Sequence, residues 1–200
     1  MTQPNILPGF VDPVHDAQRT FRDVLEAMSR PGRRVDLAAL PPAPEALFPA
    51  MVAVALTLCD QDTPVWLDPA AGEGLRRHLR FHCGCPLAES PDQAAFAFVC
   101  DPAHMPPLSA FRQGDAEYPE RSTTLVLAAS LAASAPGRNI AGPGVEGRGE
   151  LRCAGLPEEF WPQWKSNHAA YPLGVDVLLV DQDAVCGLPR TLAVEEAPCM

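Results

Sequence analysis

The stretch "GVDVLLVDQDAVCGLPRT" (residues 174–191) decides the fold. It reads as a strand, a polar turn at Asp181-Gln182-Asp183, and a second strand, and it ends with Arg190 directly after that strand. Working back along the chain, "STTLVLAAS" (122–130) and "AAFAFV" (94–99) are further strands. Both are continuously apolar, which marks a sheet covered on both faces. "VWLD" (65–68) is a shorter strand that ends before Pro69.

Between and before these strands lie helices. In "DPVHDAQRTFRDVLEAMSRPG" (12–32) Asp12 is placed to cap, Pro13 suits the first turn, and Pro31-Gly32 stops the helix. Val14, Ala17, Phe21, Val24, Leu25 and Met28 recur there at helical spacing and are the expected core face. "AMVAVALTLCD" (50–60) is apolar nearly all round and too long for a typical strand, so it reads as a buried helix. Residues 70–80 form an amphipathic helix weakened by Gly72 and Gly74, and Pro157 to about His168 gives another. "NIAGPGVEGRGEL" (139–151) is a Gly-rich loop between strand fragments. Helices alternate with buried strands, so the class is α/β with a mixed, mostly covered sheet. With 200 residues and no repeat or internal linker, the chain reads as one domain, 1–200, with a fraying tail over 193–200.

Charge narrows the function. Fifteen basic side chains against twenty-five acidic ones leave a formal charge of −10, which argues against a general grip on nucleic acid or on an anionic membrane. Fourteen of the basic residues are Arg, and Lys165 is the only lysine. Seven cysteines sit mostly in apolar runs, where a thiol behaves as a small hydrophobe. No charged-then-apolar leader opens the chain and no apolar run approaches a membrane span, so the expectation is a reduced, soluble, cytoplasmic protein.

Candidate sites divide between a chemical and a structural reading. "HLRFHCGC" (78–85) holds His78, His82, Cys83 and Cys85 in eight residues. A structural zinc site wants two separated ligand pairs, so no metal is expected, and His82 is read as packing or hydrogen-bonded. "GPGVEGRG" (142–149) fits G-x-G-x-x-G at Gly142, Gly144 and Gly147. Pro143 interrupts it, no helix follows, and it lacks the Lys and Ser/Thr of a phosphate loop. A tight turn with positive φ is the plainer reading. Asp60 and Asp62 could bind Mg²⁺ or act as acid and base, but they read as polar turn formers. Arg190 could meet a phosphate or pair with a carboxylate, the two readings being evenly placed. No catalytic nucleophile motif is present.

Several stretches resemble one family in order and over nearly the whole chain. They are "GFVDPVHDAQRTFRDVLEAMSRPG", "ALTLCDQDTPVWLDP", "LRFHCGCP", "STTLVL", "GPGV", "YPLGVDVLLV" and "GLPRT". The family is the H subunit of the bacterial carbon–phosphorus lyase system, which degrades organic phosphonates. Two positions depart from its pattern, Cys83 and Leu192, each standing where the family has Thr. The resemblance implies a three-layer α/β/α fold like that of the pyridoxal-phosphate-dependent transferases, without that cofactor. A Schiff-base lysine would be needed for it, and Lys165 lies in "WPQWKSNH", on a polar helical face. The resemblance also implies a homodimer that joins the G, I and J subunits. That complex displaces the adenine of MgATP with a phosphonate, giving a ribose 1-phosphonate 5-triphosphate.

Two functional expectations follow. One is a non-catalytic, obligatory subunit of that complex. The other is a pocket of the chain's own for a phosphonate or nucleotide phosphates such as those of ATP, with Arg80, His82, Arg190, Gly142 and Gly144 as anion contacts.

Overall fold

The computed structural model describes residues 6–44 and 47–195. Its centre is a six-stranded sheet in the order β1-β8-β7-β4-β3-β2. The strands are β1 (Val35–Asp36), β2 (Val65–Leu67), β3 (Phe96–Val99), β4 (Thr124–Ala128), β7 (Asp176–Val180) and β8 (Ala184–Leu188). β2, β3, β4 and β7 run parallel, each needing a long crossover to reach the next. β7 and β8 pair antiparallel, because only Asp181–Asp183 separates them, and the Asp181 N–H donates to the Ala184 carbonyl at 3.0 Å. β1, which the sequence did not announce, adds antiparallel to β8 through two residues.

Alternation along the strands sends side chains to two cores. Val126, Leu178 and Val180 join one; Leu125, Leu127, Val177 and Leu179 join the other. The first core is closed by α1 (Pro13–Ser29), α2 (Pro49–Leu58) and α3 (Gly72–His82). α2 buries six consecutive residues from Ala50 to Ala55. Burial of a Val side chain stabilises by about 2 kcal/mol, so the helix needs no polar face. The second core is closed by α4 (Phe160–Ala169) together with a three-stranded antiparallel sheet in the order β6-β5-β9. Here β5 is Gly137–Ala141, β6 is Gly149–Arg152 and β9 is Ala193–Glu195. The second covering layer is therefore part helix and part sheet. The Gly-rich loop is the β5–β6 connection, and Ala193–Glu195, expected to fray, pair with β5, where Val194 packs on the core. The rest of the tail lies outside the described residues.

α1 corrects the expected core face. Asp12 caps it, accepting from the His15 N–H at 3.2 Å, while Asp16 accepts from the Asp12 N–H at 2.9 Å. Thr20, Val24 and Ala27 face inward, whereas Val14, Phe21 and Leu25 are 74%, 45% and 51% exposed. The reason is close approach to β8. A Cβ on Gly187 would stand 2.5 Å from the Ala27 carbonyl oxygen, so the helix backbone lies on the strand and only small side chains fit between. Val14, Phe21 and Leu25 are turned out, while Met28, as expected, packs at the edge of the core.

Candidate functional site

α4 carries two rows of side chains one step apart. Phe160, Trp164 and Asn167 face the core, and Trp161, Lys165 and His168, at the same i, i+4, i+7 spacing, line a cleft of about 680 Å³. The inward row fixes the helix. The Trp164 Nε1–H donates to the Leu192 carbonyl at 3.0 Å, and the Asn167 amide both donates to and accepts from the Val175 backbone, at 2.9 and 2.8 Å. His168 Nδ1 lies 3.0 Å from the Arg190 carbonyl. A carbonyl only accepts, so Nδ1 carries the proton and Nε2 is the lone-pair nitrogen of the neutral ring.

Arg138, on β5 beside α4, and Ala193, Val194 and Glu195 of β9 complete the cleft. Arg138 shares a strand face with the buried Ile140 two residues on. Its guanidinium carbon lies 4.3 Å from the centre of the Trp161 ring, a cation–π contact that holds the charge in place without neutralising it. Neither Arg138 nor Lys165 has an ion-pair partner among the described residues, and Glu195 is the one acid of the lining. A chain of charge −10 thus gathers two permanent cations and an imidazole in one concavity.

The residues singled out in the sequence lie elsewhere and do not converge. Arg190 is buried with its guanidinium fully engaged. Nε and Nη2 donate to Asp176 at 3.2 and 2.6 Å, Nη1 to the Pro119 and Pro172 carbonyls at 3.0 and 3.1 Å, and Nη2 also to Ser122 Oγ. Five N–H groups are all a guanidinium has. Arg190 is a clamp on three chain segments, and the carboxylate reading describes it.

Gly142 and Gly144 have φ of 148° and 83°, and Gly147 has 67°. A Cβ on Gly144 would stand 2.2 Å from the Ser29 carbonyl oxygen, and one on Gly142 2.9 Å from that of Thr191. The loop is a turn packed closely against the end of α1 and the Thr191 backbone. Arg80 and His82 are on α3, the crossover between β2 and β3 at the opposite edge of the sheet from β8. Arg80 is exposed. His82 Nε2 donates to the Leu7 carbonyl at 2.9 Å, and its ring lies 4.3 Å from that of His78.

His78 is 2% exposed, and neither ring nitrogen has a partner. Burial, with a smaller contribution from His82, pushes its pKa down to about 4. Burial pushes the Cys83 thiol up to about 12 and raises that of Cys85, so nothing nearby favours the thiolate a metal would need. No group of three or more His, Cys, Asp or Glu among the described residues is placed to hold a metal ion. Asp60 accepts from the Asp62 N–H at 3.0 Å and from Thr63 Oγ1 at 2.6 Å, bonds that lower its pKa and make it a turn former. Asp62 is exposed on the same turn.

The sequence reading missed Arg138, Trp161 and His168, and took Lys165 for a solvated residue. The 161/165/168 spacing was legible; its facing β5 and β9 was not.

Comparison with known proteins covers nearly the whole chain. The family model described as bacterial phosphonate metabolism protein (PhnH) matches residues 8–195. A Rhizobium meliloti (strain 1021) protein named alpha-D-ribose 1-methylphosphonate 5-triphosphate synthase subunit PhnH is 41% identical over 197 residues, covering 96% of this chain and 98% of that protein. A Stutzerimonas stutzeri protein named putative C-P lyase subunit protein HtxG is 31% identical over 177 residues, 87% of this chain and 83% of that one.

Proposed function

The chain belongs to the PhnH family of bacterial phosphonate metabolism proteins, and from that membership we propose that it is a subunit of a carbon–phosphorus lyase complex. In this role it supports the displacement of adenine from MgATP by an alkylphosphonate, the step that yields a ribose 1-phosphonate 5-triphosphate. The observation that carries the reading is the end-to-end 41% identity to a relative named as a subunit of that synthase. HtxG, named as a putative C-P lyase subunit, supports it.

The finer organisation we propose is a cytoplasmic homodimer that joins the G, I and J subunits. No helix among the described residues is long and apolar enough to cross a membrane. The exposed stripe Val14, Phe21 and Leu25 on α1, with Val11 just before the helix, gains a purpose as a surface covered by another subunit of the complex. On its own the chain is proposed to be non-catalytic, its energy spent in interfaces.

The likeness to the pyridoxal-phosphate-dependent transferases stays part of this reading. A mostly parallel sheet covered on both faces supports it. No pyridoxal phosphate is proposed to bind, because Lys165 is exposed on the outer row of α4 rather than enclosed as a Schiff-base lysine is. An internal Schiff-base absorbance that vanishes in Lys165→Met would overturn that.

The test is a tagged pull-down from phosphate-starved cells, with mass spectrometry and size exclusion. Recovery of the other complex subunits in fixed ratio is the expected result. Recovery of this chain alone from cells that express those subunits would overturn the proposal.

A further inference from the structure

The cleft between α4, β5 and β9 has a composition that a purely structural surface does not need. Of the fifteen basic side chains six, Arg19, Arg30, Arg33, Arg34, Arg152 and Arg190, have carboxylate partners among the described residues, so a lone exposed cation is ordinary on this surface and it is the gathering of two in one concavity that needs an account. Arg138 and Lys165 have none among the described residues, yet they line one concavity. Each is supported. Trp161 holds the Arg138 guanidinium, α4 is fixed to the core at Trp164 and Asn167, and His168 is oriented by the Arg190 carbonyl, itself fixed by the Arg190–Asp176 clamp. Such supporting contacts are what a preorganised anion site requires.

We propose that this cleft binds a small organic molecule through a tetrahedral dianionic head, a phosphate monoester or a phosphonate, held by Arg138 and Lys165, with the His168 Nε2 lone pair left to accept from a hydroxyl of the ligand's body. Two permanent positive charges match a dianion, and a guanidinium fork together with a separate ammonium suits its three terminal oxygens better than a singly charged planar carboxylate. The volume of about 680 Å³ falls in the small-molecule range and far exceeds a bare phosphate, so the ligand has a body. Pro162, Val194 and the edge of Trp161 give that body an apolar wall, and Glu195 offers an acceptor to a hydroxyl or amine.

The site is a property of the chain by itself. Its failure would leave complex membership untouched, and a failed pull-down would leave the site standing. Calorimetry on the purified full-length chain with inorganic phosphate, methylphosphonate and ribose 5-phosphate tests it, with ribose as the neutral control. Ribose 5-phosphate is expected to bind more tightly than inorganic phosphate, and ribose not at all. Lys165→Met and Arg138→Gln should each weaken ribose 5-phosphate by about tenfold or more, Lys165→Arg should retain most of the affinity, and Arg80→Gln, on α3, should change nothing. Lys165→Met is an exposed change, so its fold, checked by circular dichroism, stays secure even if Arg138→Gln disturbs the Trp161 stack. No heat at roughly 10 mM ligand with folded wild-type protein would overturn the proposal, as would undiminished binding by Lys165→Met or binding of ribose equal to that of its phosphate.

Discussion

Asp176 holds Arg190 at both ends of the residue: its Oδ1 accepts the Arg190 backbone N–H at 2.7 Å, and its Oδ2 accepts the guanidinium at 2.6 Å. Through this pair the start of β7, the end of β8, the Pro119–Ser122 turn and the Pro172 segment are joined. Arg190→Met should therefore cost on the order of 3 kcal/mol, because it strands a part-buried carboxylate and two carbonyls. Urea unfolding checks the loss. In Arg190→Met/Asp176→Leu the isolated charge is gone, so part of the stability should return; a penalty larger than the single one would mean that Arg190 contributes mainly through packing of its stem.

His78 gives the fold an acid limb. Its folded pKa of about 4 lies below the ordinary 6.5, so between those values the unfolded chain binds a proton that the folded chain refuses. Stability from this residue is fully present above pH 6.5, falls as the pH drops toward 4, and levels off below. At about 1.4 kcal/mol per pKa unit, the fall amounts to up to roughly 3 kcal/mol. His78→Leu should flatten that limb in urea midpoints taken at pH 7.5 and 4.5, and should cost little at pH 7.5, since the native ring leaves both nitrogens unpartnered. An unchanged limb would assign the acid sensitivity to other groups.

Gly144 holds a tight turn against the end of α1. Ala at φ 83° is strained, and its Cβ would meet the Ser29 carbonyl at 2.2 Å, so Gly144→Ala should destabilise by about 2 kcal/mol or more. Thermal melts read the effect. Gly147→Ala, where nothing lies within 4 Å of the new Cβ, should cost less, about 1 kcal/mol. Equal costs would mean that the backbone conformation alone matters.

These residues also show where sequence reading reached and stopped. The β7–β8 hairpin was legible because its signals are local: two apolar runs around three polar residues. α2 was legible for the same reason. The facing of α1 was not, because one helix carries two apolar stripes and only the approach to Gly187 decides which is buried. Arg190 could be placed after a strand, but its partners lie 14 to 71 residues away. The cleft was illegible for a related reason: Arg138 and Lys165 meet only because β5 pairs with β9 beside α4.

The thiols offer a check on burial. Desolvation pushes Cys83, Cys100 and Cys186 up to about 12 and Cys153 to about 11, and raises Cys59 as well. At pH 7.5 the thiolate fraction is then very small. Iodoacetamide should label these positions in native protein far more slowly than in urea, as read by peptide mass spectrometry. Fast native labelling of Cys83 would show that the turn after α3 opens.

The outward stripe of α1 separates assembly from folding. Phe21 and Leu25 are 45% and 51% exposed, so Leu25→Asp gives up about half a side chain's burial and some helix propensity, and should cost about 1–2 kcal/mol without unfolding the chain. On the proposed subunit interface the same change would place a carboxylate against apolar surface, where an unpaired charge is costly. Pull-down of the variant should therefore lose the other subunits while the isolated chain still unfolds cooperatively, at only a modestly lower urea midpoint. Retained partners at unchanged ratio would leave the stripe without an interface role, and a loss of self-association with the other subunits still bound would assign it to a second copy of this chain. Only the combination of intact fold and lost partners fits a helix whose small residues were used to reach β8 and whose large ones were left for another subunit.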